Sequence, residues 1–278
     1  MEFRRLRAAF DAPVTVERTS AEWTPKVLSL WSHVPARLAA FGLGQRDFLY
    51  RPNVVYVARL GAGGGRVTVL GNEADGPAPM RRTSAAVVRD GGNGGGPAEV
   101  ARRAATVALA FGYTGSFTVA LALRRAPKTL PQGRPATYHD VCGGVTLQNE
   151  RLVILWRDDA DFWKVLMHEL VHLMTSTSDE ALAEATALRM WCALRSSTQE
   201  EYENAVRMQT ILTTENARRV AALARGTTTA IADYTAGAAC ILSHGSRACR
   251  DWRHDFRQEP GAATPPGKPY VASIQCSL

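Results

Sequence analysis

With 278 residues, 46% of them hydrophobic and 21% charged, the chain can build one large or two small domains around a proper core, which excludes an intrinsically disordered class. Its net charge of +7 suits an anionic partner. The basic residues are nevertheless scattered in ones and twos (Arg4, Arg5 and Arg7, then Arg81 and Arg82, Arg102 and Arg103, Arg218 and Arg219), which excludes a dense nucleic-acid-binding tail.

In chain order, the first ten residues carry charge but no apolar run long enough for a signal peptide, so secretion is not expected. Helical pieces are predicted around Pro25 to Phe41, punctuated by Pro35, and strands around Val54 to Leu60 and Arg66 to Leu70. Two glycine-rich segments, Gly61 to Gly65 and Gly91 to Gly96, carry neither Gly-Lys-Ser/Thr nor a G-x-G-x-x-G between strand and helix, and are read as turns. Ala104 to Leu123 is uncharged and long enough to raise a membrane span. Pro97 and Glu99 mark a helix start and Gly112-Tyr-Thr-Gly-Ser116 a break, so a helix from Pro97 to Phe111 and a strand from Phe117 to Leu123 are predicted instead, with no membrane partner. Arg151-Leu-Val-Ile-Leu-Trp-Arg157 reads as another strand. From Asp161 the pattern is helical: a motif hairpin to about Leu194, then Thr198 to Ala224 and Thr228 to Leu242. The tail from Gln258 is rich in Pro and Gly and is expected to be extended or disordered.

Five cysteines (Cys142, Cys192, Cys240, Cys249, Cys276) form no C-x-x-C pair. Their odd number argues against a disulfide framework and for a reducing compartment, with Cys240 and Cys249 the one pair to check. The expected organisation is α+β: a mixed sheet in the N-terminal half and a mostly helical C-terminal half. Residues 1–96 form an N-terminal α/β region, 97–257 a catalytic region, and 258–278 the tail.

The chemistry is named by His168-Glu169-Leu170-Val171-His172. Side chains four apart share one face of a helix, so two imidazoles at this spacing can hold one zinc ion, and the intervening glutamate can reach a water bound to it as a general base. Phe162, Val165, Leu166, Leu170 and Leu173 recur at helical spacing beside them, so the motif sits on a partly buried helix preceded by a strand. A catalytic site needs a third protein ligand. After a Thr/Ser turn, Ser178 or Asp179 can cap a second helix folding back on the first, and residues equidistant from the turn then face each other. That rule favours Glu184. Glu180 is the alternative, as ligand if the turn is shifted by one residue, or as a group orienting a histidine. Glutamates in a first helical turn also simply serve the helix dipole.

Lys128-Thr-Leu-Pro131, Val141-Cys-Gly-Gly-Val-Thr146, Trp156 to His172, and Glu180 to Ala187 together resemble the predicted zinc metallopeptidases of large DNA viruses, and more broadly the gluzincins. The likeness runs from Lys128 to about Trp191, less than half the chain. It implies zinc ligands at His168, His172 and Glu184, a base at Glu169, and a viral origin. The spacing from His172 to Glu184 is shorter than in thermolysin-like members, which leaves the third ligand open.

The expected function is therefore a zinc-dependent peptidase of gluzincin type in the cytoplasm, with Zn2+ as cofactor and a protein or peptide as substrate. Tyr234 is the first candidate oxyanion donor and His244 the second, although Tyr234 equally suits an ordinary half-buried aromatic. Substrate would add as a strand along Arg151 to Arg157. Two rivals are a non-catalytic partner-binding protein that keeps the zinc site as a staple, and a basic nucleic-acid-binding protein with an incidental motif.

Overall fold

A computed structural model describes residues 3–19, 52–72, 96–124, 143–157, 162–223 and 229–244, with Ser29, Ser32, Val34 and Ala39. Of the helical pieces expected in Pro25 to Phe41 only Ser29, Ser32, Val34 and Ala39 are described, all four helical, and the tail from Gln258 lies outside this set. The elements are α1 (Phe3–Asp11), β1 (Val16–Thr19), β2 (Val54–Leu60), β3 (Gly65–Gly71), α2 (Pro97–Phe111), β4 (Phe117–Arg124), β5 (Gly144–Leu147), β6 (Leu152–Arg157), α3 (Phe162–Thr175), α4 (Glu180–Arg195), α5 (Gln199–Leu223) and α6 (Thr229–His244). The class is α+β, with strands first and helices after, as expected.

The strands form one six-stranded sheet in the order β1-β2-β3-β4-β6-β5. Pairing is antiparallel for β1 with β2, β2 with β3 and β5 with β6, and parallel for β3 with β4 and β4 with β6. The division expected after residue 96 thus falls within a continuous sheet. β6 lies inside it, and Leu152, Val153, Ile154, Leu155 and Trp156 are all fully buried. A strand covered on both faces reads as an unbroken apolar run, and each such side chain contributes about 1.5–3 kcal/mol by leaving water.

α2 crosses between β3 and β4 and lies on β2 and β3. Proline opens it, and Gly112 closes it with φ 67°, the left-handed conformation that glycine adopts without strain. The long uncharged stretch is thereby split into helix and strand. Among the described residues no helix is long and apolar enough to cross a membrane. α1 escaped the sequence reading. Its Phe3, Leu6 and Phe10 are buried, with Phe3 stacked on Tyr202 of α5 at 5.0 Å.

Cys192 is free and buried, whereas Cys240 in α6 is disulfide-bonded, its partner lying outside the described residues. Cys240, one of the two cysteines singled out for checking, is thus in a disulfide, which is not the usage typical of the reducing compartment expected from the odd cysteine count.

Candidate metal centre

α3 lies on the β5–β6 end of the sheet, and glycine makes the approach possible. A Cβ on Gly144 would stand 2.7 Å from Leu155 Cδ2, 2.9 Å from Glu169 Cγ and 3.1 Å from Val165 Cγ1. The edge strand can therefore run directly beneath Glu169. Leucines and valines of α3 fill the core at the same level, and His168, Glu169 and His172 are drawn in with them, 0%, 1% and 6% exposed.

The turn after α3 decides which carboxylate meets the histidines. Ser176 is left-handed (φ 52°), and Asp179 caps α4 by accepting from the Leu182 N–H at 3.1 Å. Between them the Thr177 carbonyl reaches back to His172 Nδ1 at 2.8 Å, and Gln148 Nε2 donates to the carbonyls of both His172 and Thr177 at 3.3 Å. The chain has thus already run back beside His172 before α4 begins. Glu180, the first residue of α4, is level with the histidine pair: its Oε2 lies 3.1 Å from His168 Nε2 and 3.3 Å from His172 Nε2. The two Nε2 atoms are 3.0 Å apart. Glu184, the expected third ligand, sits behind His168 instead, its Oε2 2.9 Å from Nδ1. Counting residues from the turn misplaced it because the turn is not a compact reversal.

Zinc held at about 2.0–2.1 Å by tetrahedral ligands keeps those ligands about 3.3 Å apart. The triangle of His168 Nε2, His172 Nε2 and Glu180 Oε2, with edges of 3.0, 3.1 and 3.3 Å, is close to one face of that tetrahedron. Its chemistry fits too: Glu184 can fix a proton on His168 Nδ1 and the Thr177 carbonyl one on His172 Nδ1, which turns both Nε2 lone pairs toward the common point. These three residues form a buried group able to hold a metal ion.

Electrostatics show how the group is held together without metal. Burial alone would lower His168, but the carboxylates of Glu180 and Glu184 outweigh it and push the imidazole up to about 10. For Glu180, burial works upward and is outweighed by His168 and His172, which bring it down to about 2. The two glutamates thus favour the protonated form of His168. Glu169 is raised by burial against the pull of the two histidines. Its Oε2 meets the Thr146 hydroxyl at 2.8 Å, and its Oε1 is buried with no hydrogen-bond partner among the described residues.

Other expected participants are placed differently. β6 is bordered by β4 and β5, so Arg151 to Arg157 has no free edge for a substrate strand; among the described residues the outer edge at this end belongs to β5. Tyr234 lies in α6, its side chain outside the described set, and His244 is exposed at the last position of that helix. Thr146 and Gly144 went unread as site residues. Their signal was the glycine pair ahead of a β-branched residue, a place where backbone must approach something closely.

The chain matches no protein-family model, no curated protein and no solved structure.

Proposed function

We propose that the protein is a zinc-dependent hydrolase acting on peptide bonds, with His168, His172 and Glu180 as the metal-binding residues and Glu169 as general base. The observation that carries this reading is the three-atom triangle sized for one face of a tetrahedral site, with the buried Glu169 carboxyl coupled electrostatically to both histidines and one of its oxygens without a partner among the described residues. Among the described residues three donors converge, the count of a catalytic rather than a structural zinc site. Zinc bound there would lower the pKa of its water toward about 7 and polarise a carbonyl.

The rest falls to the chain itself. Glu184 and the Thr177 carbonyl orient the imidazoles. Glu169 Oε1 takes a proton from the attacking water and returns it to the leaving amine, which requires the carboxylate to be ionised in the loaded enzyme. The neutralisation of His168 that metal binding demands removes one positive neighbour, and the metal's own charge replaces it. A peptide added along β5, the outer strand at this end among the described residues, would lie next to Glu169, since Thr146 hydrogen-bonds its carboxylate and a Cβ on Gly144 would meet its Cγ.

Metal analysis of the wild type beside His172→Ala, with hydrolysis of a quenched fluorescent casein by wild type and Glu169→Gln, tests the reading. Wild type should carry one zinc and His172→Ala none, while Glu169→Gln keeps the zinc and loses hydrolysis by about 10²–10⁴-fold. Equal zinc in wild type and His172→Ala would end the metalloenzyme assignment.

A further inference from the structure

The geometry points to Thr146 as a positioning residue for Glu169, a role resting on the hydrolase reading above: its hydroxyl clamps Oε2 so that Oε1 alone is presented to the reacting water. Thr146 Oγ1 lies 2.8 Å from Glu169 Oε2 and 2.8 Å from the Glu169 backbone carbonyl. That carbonyl sits inside α3 and has its own helical N–H partner, so the single hydroxyl hydrogen is free for the carboxylate. The one hydroxyl hydrogen thus anchors the carboxylate through Oε2, and the close approach to the Glu169 carbonyl places Thr146 against the helix at that residue. Gly144, two residues earlier on the same face of β5, closes the other side, because its missing Cβ leaves the space that Glu169 Cγ occupies. Oε1 is then the one carboxylate oxygen with no partner among the described residues. An unanchored carboxylate could rotate and exchange its oxygens. An anchored one is preorganised, which is what a base needs if it is to act without reorienting at each turnover.

The clamp also says why β5 belongs to the site although it contributes no metal ligand. The strand that would receive the substrate backbone is the strand that aims the base, so both are set by one short edge. Removing only the hydroxyl, with the shape and β-branching kept, isolates this role.

Wild type, Thr146→Val, Thr146→Ser and Glu169→Gln are compared in two measurements: turnover of quenched casein by the zinc-loaded protein, and the visible d–d spectrum of the protein loaded with cobalt(II) alone. Circular dichroism checks that each variant is folded. Thr146→Val should bind cobalt within about threefold of wild type, lose about 10–100-fold in kcat with little change in KM, and shift its cobalt spectrum toward that of Glu169→Gln. Thr146→Ser, which restores the hydroxyl, should recover kcat to within about fivefold and superpose on the wild-type spectrum. A Thr146→Val variant indistinguishable from wild type in both readouts overturns the positioning role and leaves the hydrolase reading standing. So does a Thr146→Ser variant as impaired as Thr146→Val. Failure of wild type to take up cobalt, or Glu169→Gln turning over as fast as wild type, overturns the hydrolase reading and the clamp with it.

Discussion

Two helices lie against each other on the same sheet, and they bury very different chemistry. α2 presents Val100, Ala101, Ala104, Ala105, Val107 and Ala108 to the core, and its charges lie partly buried at the margin, where Glu99 pairs with Arg102 and Arg103. The one polar side chain it buries deeply, Thr106, is satisfied within its own helix by the Arg103 carbonyl at 2.9 Å. α3 buries His168, Glu169 and His172 among its leucines and valines, and α4 supplies Glu184, 6% exposed, as a partner. Burial of ionisable groups opposes folding unless each is paired, and a chain able to use alanine and valine at one site has used costly residues at the other. The contrast teaches that α2 serves stability, whereas α3 carries a group able to hold a metal ion: where side chains only fill space, the residues are apolar, and where they converge, they are donors.

The comparison breaks most sharply at the two glutamates. Glu180→Gln should weaken zinc binding by more than about a thousandfold, because it removes one of three ligands. Glu184→Gln, which disturbs only the far nitrogen of His168, should cost about 10–100-fold. Competition against a chromophoric chelator ranks them, and the reverse order would restore Glu184 as the ligand.

A second test uses pH. The His168 value is raised, so its contribution to stability is complete below the ordinary value of 6.5 and is lost as pH rises through about 10. The Glu180 value is lowered, so its contribution is present above 4.5 and is lost as pH falls through about 2. Metal-free protein should therefore lose stability as the pH is raised above 6.5. Zinc must displace the His168 proton, so its affinity should climb with pH, about tenfold per unit for one proton. Thermal melts from pH 6 to 9 should show the metal-free Tm falling while the zinc-induced increase grows; parallel profiles would contradict the raised value at His168.

The smallest effect is expected on the other helix. Thr106→Val should change stability by no more than about 0.5 kcal/mol, since the Arg103 carbonyl keeps its helical bond and the shape is conserved. A loss above 2 kcal/mol, measured by urea unfolding, would show that α2 too carries a polar role.

What the sequence made legible follows the same division. β2, β6, α2, α3 and α4 announce themselves through apolar runs, helical spacing and their Pro, Gly and Asp boundaries, all local signals. The pairing of His168 with His172 is local as well, being set by the helical repeat. Glu180 was harder, because its level against the histidines depends on the Ser176–Asp179 turn running back along α3, and no periodicity encodes that path. β5 is only four residues long and begins with glycine, too little to mark a strand by itself; its pairing with β6 and the helix above it define it. α1 carries its apolar residues at helical spacing between arginines, but its role depends on Tyr202, some two hundred residues away.

Anomalous diffraction at the zinc edge, from crystals grown with zinc, addresses the metal centre most directly. A single peak at about 2.0–2.1 Å from His168 Nε2, His172 Nε2 and a Glu180 oxygen, with Glu184 still on His168 Nδ1, is the predicted result. A peak that lacks Glu180 or recruits Glu184 in its place, or no peak between the two imidazoles, would contradict it.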